Sequence, residues 1–115
     1  MDLQHSSVRL TDGTVEITPR GEIDLNNAYR IREAVNEALA GSPSRVSLNL
    51  AAVTLIDSVG IGTLVSCFHS AAASGVRLVV TAPSRIVYRQ LWVSGLVGLF
   101  GLPTPRAERG AAAAT

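Results

Sequence analysis

The sequence predicts a single α/β domain in which a mixed sheet of four or five strands is flanked by helices. Segments in which apolar and polar residues alternate take turns with segments whose apolar residues recur every three or four positions. Strands separated by helices require right-handed crossovers, and therefore a partly parallel sheet. The chain has 115 residues, of which 47% are hydrophobic, and this length suits one core rather than two.

Two antiparallel strands are predicted at the start of the chain. Thr11-Asp12-Gly13 is a hairpin turn sequence, because Asp-Gly tolerates the positive φ angles that such turns need. Apolar residues alternate with polar ones on both sides of this turn: Val8, Leu10, Val15 and Ile17. Pro19 is expected to weaken the end of the second strand, because proline lacks an amide proton for the sheet.

A first helix is predicted over residues 27–40. Asn26 and Asn27 are favourable N-caps, and Gly41-Ser42-Pro43 is a stop signal. The apolar residues between these signals share one helical face: Ala28, Ile31, Val35, Ala38 and Leu39. Residues 45–50 then alternate strictly and predict a strand.

Three further elements and a last strand complete the predicted order β-β-α-β-α-β-α-β. Apolar residues at helical spacing after Ile56 predict a second helix that ends at Gly75. Residues 76–81 are more continuously apolar than the earlier strands, as expected of a central strand. A third helix begins at Pro83-Ser84, and a short strand is expected within residues 96–102. The buried side of the third helix is expected to hold Ile86, Val87, Leu91 and Trp92, although Trp92 also suits a partner contact.

Composition excludes several classes of function. The net charge is +1 and the ten basic residues are scattered, which argues against nucleic-acid binding. No apolar run approaches the length of a membrane span, and the N-terminus lacks the pattern of a signal peptide. The single cysteine, Cys67, excludes an intrachain disulfide and indicates a reduced, cytoplasmic protein.

The segment from Ile56 to Gly62 is the candidate functional site. An apolar strand runs into Asp57-Ser58, and either residue is a suitable N-cap for the helix that follows. The partial positive charge of a helix start favours an anion by about 0.3–1 kcal/mol. A phosphate on Ser58 is expected to meet the N–H groups of Gly60 and Ile61. Its charge is expected to expel a docked partner from this surface, which also carries Asp24 and Asp57.

Purely structural interpretations of the same residues remain open. Gly60 and Gly62 either leave the first helical turn bare, so that another protein can approach Ser58, or simply let the helix pack closely on the sheet. Ser58 and Asp57 are also compatible with an ordinary helix cap that has no regulatory role.

A family resemblance decides between these interpretations. Four blocks occur in the order and spacing of a STAS domain: Gly21-Glu22-Ile23-Asp24, Leu48-Asn49-Leu50, Ile56-Asp57-Ser58-Val59-Gly60-Ile61-Gly62 and Ser94-Gly95-Leu96. The chain specifically resembles a bacterial anti-sigma factor antagonist, over roughly residues 5–102. We therefore expect a STAS domain over residues 1–102 and a disordered tail over residues 103–115, with the family's terminal helix shortened or lost.

The resemblance implies a regulated binding protein rather than an enzyme. Its partners would be an anti-sigma factor, which is an ATP-dependent serine kinase that phosphorylates Ser58, and a PP2C-type phosphatase. Unphosphorylated antagonist binds the kinase and releases the sigma factor. The residues expected to bind the partner are Asp24, Asp57, Ser58, Val59, Gly60 and Gly62. Asp24 either positions the kinase or polarises the Ser58 hydroxyl, or it only forms a turn. Many members have a second Ser or Thr after the phosphorylated Ser, and here Val59 stands at that position, so phosphorylation is expected to depend on Ser58 alone.

Other functions are weighed against this one. A serine hydrolase would need His5 or His69 to converge on Ser58. No Cys or His pair has zinc-ligand spacing, and Gly60-Ile61-Gly62 is only a fragment of a phosphate loop in a chain without lysine, so neither metal nor cofactor is expected. A STAS subunit of a lipid-transport or stress-signalling assembly, without a kinase partner, is the main alternative. We expect the protein to be a monomer or a weak homodimer. Arg85 and Arg89 are expected to be solvated surface residues.

Overall fold

A five-stranded sheet carries three helices in the computed structural model, which describes residues 3–103. The predicted α/β class and mixed sheet are confirmed. The predicted tail from residue 104 onward, with the question of a terminal helix, lies outside the described residues. The elements are β1 (Gln4–Arg9), β2 (Thr14–Ile23), α1 (Ala28–Ala40), β3 (Arg45–Asn49), β4 (Val53–Ile56), α2 (Ser58–Ala73), β5 (Arg77–Thr81) and α3 (Arg85–Val93).

The predicted hairpin joins β1 and β2 in antiparallel register. Gly13 adopts a φ of +87° in its turn, and the Thr14 N–H donates to the Asp12 carboxylate at 2.9 Å. Hydrogen bonding from Thr14 holds the pKa of Asp12 below its usual value. Pro19 does not end the strand, contrary to expectation. It lies between the part of β2 that pairs with β3 and the part that pairs with β4, where its missing N–H costs no bond to either parallel strand.

The sheet has the order β1-β2-β3-β5, and β4 pairs with the end of β2. The expectation that β5 is central is therefore wrong, because within residues 3–103 it pairs with β3 alone. The apolar character of β5 has another cause. The outer edge of this strand is covered by the segment that follows α3, because the Val80 N–H donates to the carbonyl of buried Phe100 at 3.1 Å.

The strand expected within residues 96–102 is replaced by turns. The N–H of Leu96 bonds the carbonyl of Leu91, and the N–H of Leu102 bonds that of Val97, both at 2.9 Å. Gly95 and Gly101 take φ angles of +74° and +77°, which break an extended path. The observed order of elements is β-β-α-β-β-α-β-α, since the apolar residues before Asp57 form a strand of their own, β4.

The buried side of α3 is narrower than predicted. Val87 and Leu91 are fully buried, one turn apart, whereas Ile86 and Trp92 are 57% and 50% exposed. Only one stripe of α3 is buried, because this helix packs mainly on the short strand β4. The expectation that Ile86 and Trp92 lie on the buried side of α3 is therefore wrong.

Candidate functional site

The motif lies where β4 passes directly into α2. Asp57 is extended, with φ −91° and ψ −179°, and its carboxylate Oδ1 accepts the Gly60 N–H at 2.8 Å. Its own N–H donates to the carbonyl of Ile23 at 3.0 Å. Of the two predicted caps, Asp57 is therefore the one that caps α2. Ser58 is the first helical residue and is exposed to solvent.

The amides available to an anion differ from the predicted ones. The Gly60 N–H is taken by the Asp57 side chain, and the Ile61 N–H donates to the Asp57 carbonyl at 2.9 Å. The expectation that a phosphate on Ser58 would meet these two groups is therefore wrong. The N–H groups of Ser58 and Val59 have no acceptor within residues 3–103, and they are the ones left for an anion.

Asp57 also ties the loop between β2 and α1 to the motif. Its Oδ2 accepts the Leu25 N–H at 3.0 Å, so one carboxylate holds both segments. Within this loop, Asp24 Oδ1 accepts the Asn26 N–H at 2.9 Å, which is the turn-forming role weighed for Asp24. Asn27 does not cap α1 with its side chain. It braces the loop instead, accepting the Asp24 N–H and donating to the Glu22 carbonyl, both at 2.9 Å.

The two glycines of the motif have different roles. Gly60 is buried, and a Cβ atom there would lie 2.7 Å from Cγ1 of Ile56 and 2.9 Å from Cγ2 of Ile23. Gly60 is therefore a packing residue, and its predicted contact with a partner is corrected accordingly. Gly62 is exposed, with nothing within 4 Å of the same position. It does leave the surface beside Ser58 bare.

Apolar side chains are exposed on the segments around Ser58. Val59 is 47% exposed, and Leu25, whose N–H binds Asp57, is 67% exposed. Leu55, near the end of β4, is 45% exposed. Grouped exposure of this kind is typical of a surface that another protein covers.

Gln90 supports the motif and was missed by the sequence interpretation. From α3, its Nε2 donates to the Ile56 carbonyl at 2.6 Å and its Oε1 accepts the Ile56 N–H at 3.2 Å. The side-chain amide thus satisfies the backbone at the end of β4, directly before Asp57. The available signal was a polar residue next to Leu91 on the buried side of α3.

Gln90→Glu is expected to lower the free energy of unfolding by about 1–3 kcal/mol, because it replaces the donor to the Ile56 carbonyl with a carboxylate oxygen. Urea unfolding measures this loss. Asn36→Asp makes the same chemical change on the exposed surface of α1 and is expected to stay within about 0.5 kcal/mol of the parent. Equal losses in both variants would contradict a supporting role for Gln90.

The alternative catalytic groups do not assemble at Ser58. His69 is exposed on α2, about three turns or roughly 16 Å along the helix from Ser58. His5 lies in β1, opposite Pro19. Cys67 is buried on α2, and burial raises the pKa of its thiol to about 11.

Among the described residues, no group of three His, Cys, Asp or Glu residues is placed to hold a metal ion. No helix among them has the length and apolar character of a membrane span.

The sequence profile described as "STAS domain" matches residues 5–111, which is most of the chain. The chain belongs to the STAS domain family. The resemblance identified from the motifs is thereby confirmed, and the match extends beyond residue 102, where the domain was predicted to end.

Two curated relatives of this STAS domain bear the name of anti-sigma factor antagonist. The anti-sigma-F factor antagonist RsfB of Mycobacterium tuberculosis is 31% identical over 91 residues, which cover 79% of this chain and 74% of RsfB. A putative anti-sigma factor antagonist of Thermotoga maritima is 28% identical over 89 residues, or 76% of this chain and 79% of that protein.

Solved structures agree with the fold of this STAS domain. An anti-sigma factor antagonist from Mycobacterium paratuberculosis has a TM-score of 0.72 and 25% identity, with 95% of this chain and 92% of that chain covered. The antagonist SpoIIAA in its unphosphorylated form has a TM-score of 0.73 over 97% of this chain and 98% of its own. At 21% identity, the second likeness concerns the fold alone.

Proposed function

We propose that this protein is an anti-sigma factor antagonist that works by partner switching, with Ser58 as its phosphoacceptor. Unphosphorylated, it binds an anti-sigma factor that is also an ATP-dependent serine kinase, and this binding frees the sigma factor. Phosphorylation of Ser58 ends the binding, and a PP2C-type phosphatase restores it. The observation that carries the proposal is an exposed hydroxyl on the first residue of α2, beside two amides without an acceptor in the described chain.

The chain supplies only the acceptor for the transfer. The Ser58 hydroxyl oxygen attacks the γ-phosphorus of ATP, the bond to the β,γ-bridging oxygen breaks, and ADP leaves. The hydroxyl proton passes to a base on the kinase. The new phosphate then faces the N–H groups of Ser58 and Val59 at the positive end of α2, an arrangement that favours an anion by about 0.3–1 kcal/mol. The fold therefore tolerates the modification.

The docked partner does not tolerate it. A phosphoserine adds about −1.5 to −2 charges among the exposed apolar side chains of Leu25 and Val59 and next to the Asp57 carboxylate. Desolvating that charge under a partner is costly. The next hydroxyl on α2, Thr63, does not compete with Ser58 as an acceptor, because it is buried and donates to the Val59 carbonyl at 2.9 Å.

The relatives support the same role. Two of them, at 31% and 28% identity, bear the name of anti-sigma factor antagonist. Phosphorylation is compatible with the fold, since the Bacillus cell fate determinant SpoIIAA has been solved in a phosphorylated form, with a TM-score of 0.66 and 22% identity to this chain.

Incubation with ATP and the anti-sigma factor kinases of its own organism is expected to add one phosphoryl group to the protein and none to Ser58→Ala. Intact mass spectrometry measures this directly. Ser84→Ala is the matched control, because Ser84 precedes α3 as Ser58 begins α2 but is half-buried and accepts the Val87 N–H. It is expected to be modified like the parent.

Two results would contradict the proposal. Phosphate that persists in Ser58→Ala would place the acceptor elsewhere. No phosphate with any of the kinases would favour the alternative of a STAS subunit in a lipid-transport or stress-signalling assembly without a kinase partner.

A further inference from the structure

An apolar groove lies between the start of α2 and the exposed side of α3. We call it the α2–α3 groove. It encloses about 390 Å³ and is lined by Ile61, Ile86, Arg89, Gln90, Val93 and Ser94. Ile86 is 57% exposed and Val93 is 73% exposed, so the apolar wall of the groove on α3 is open to solvent.

The groove is continuous with the phosphoacceptor. Ile61 stands one turn after Ser58 on α2, and the side chain of Gln90 holds both backbone groups of Ile56, two residues before Ser58. Any protein that covers Ser58 from the α3 side therefore also covers the groove.

The charged residues on the α3 side of the groove are basic. Neither α2 nor α3 contains an aspartate or glutamate, and the charged residues of α3 are Arg85 and Arg89, both exposed. The nearest carboxylate in sequence, Asp57, lies at the start of α2, where it accepts the N–H groups of Gly60 and Leu25. The groove is thus apolar with a basic rim.

We propose that the α2–α3 groove receives an acidic, amphipathic segment of the protein that docks at Ser58. Its apolar side chains fill the space between Ile61, Ile86 and Val93, and its carboxylates face Arg85 and Arg89. The identity of the docking protein rests on the proposed function. An acidic segment also explains why phosphorylation would end docking, since a phosphate on Ser58 places negative charge at the end of the groove and repels carboxylates within about one Debye length, roughly 8–10 Å.

Two synthetic helical peptides test the groove without a kinase or ATP. Both carry Leu at positions that share one helical face, and the remaining positions are Glu in one peptide and Lys in the other. The Glu peptide is expected to shift the methyl NMR signals of Ile61, Ile86 and Val93 in the full-length protein. The Lys peptide is expected to bind at least roughly tenfold more weakly, because its charge matches that of Arg85 and Arg89.

Arg89→Glu is expected to weaken binding of the Glu peptide by roughly tenfold or more. Arg32→Glu, the same change at an exposed position of α1, is expected to bind like the parent. Equal binding of both peptides, or of neither, would overturn the proposal. Shifts of the same methyl signals on raising the protein concentration without peptide would overturn it too, since a second copy of the chain would then be the occupant.

The outcome is separable from that of the phosphorylation assay. If Ser58 is phosphorylated but the Glu peptide does not bind, the groove proposal alone is wrong. If the Glu peptide binds but no kinase modifies Ser58, the groove is retained as an acidic-segment site and partner switching is wrong.

Discussion

Gly60→Ala is expected to lower the free energy of unfolding by about 1–3 kcal/mol, the usual cost of forcing a methyl group into a packed core. The added Cβ would lie within 3.0 Å of side-chain carbons of Ile56 and Ile23, and 3.2 Å from the Ile23 carbonyl oxygen. The backbone oxygen cannot move without disturbing the Asp57 N–H that it accepts. Urea unfolding of the parent and the variant measures the difference.

Gly62→Ala is the matched control for this prediction. The same substitution two residues later meets nothing within 4 Å, and alanine is favoured over glycine inside a helix by about 1 kcal/mol. Gly62→Ala is therefore expected to be neutral or slightly stabilising. Equal destabilisation by both substitutions would mean that the close approach of α2 to Ile23 and Ile56 is not what requires Gly60.

Ser58→Asp is expected to weaken binding to the anti-sigma factor by about a hundredfold or more. The new carboxylate would be buried in the interface without a partner, next to the Asp57 carboxylate of the same sign, and this costs several kcal/mol. Ser58→Asn has nearly the same shape without the charge and is expected to stay within about tenfold of the parent. Isothermal titration calorimetry with the unmodified anti-sigma factor measures both affinities.

The comparison of Asp with Asn separates charge from size at residue 58. Equal loss of affinity in both variants would indicate that any larger side chain blocks docking. Such a result would remove electrostatic repulsion as the reason that phosphorylation ends binding.

Local signals in the sequence predicted most of the helices and strands. The Asp12-Gly13 turn and the Asn-to-Gly41 limits of α1 depend on neighbouring residues, and both agree with the structure. The position of a strand within the sheet depends on contacts between residues far apart in sequence, which local signals do not predict. The apolar run of β5 correctly indicated burial, yet its outer edge is covered by the turn that carries Phe100 rather than by another strand.

The candidate site was predicted in its position but not in its hydrogen bonds. Asp57 and Ser58 are equally good caps by residue type. The extended backbone of Asp57 makes its carboxylate, and not the Ser58 hydroxyl, the group that accepts the Gly60 N–H. That choice determines which amides remain for a phosphate. The partner of Gln90 could not be predicted from the sequence, because its bonds join residues 34 positions apart.

The most direct measurement is the affinity of one preparation of this protein for its anti-sigma factor before phosphorylation, after phosphorylation and after phosphatase treatment. Tight binding is expected in the first state, a loss of about a hundredfold or more in the second, and full recovery in the third. Unchanged affinity across all three states would contradict the central claim that negative charge at Ser58 switches docking off.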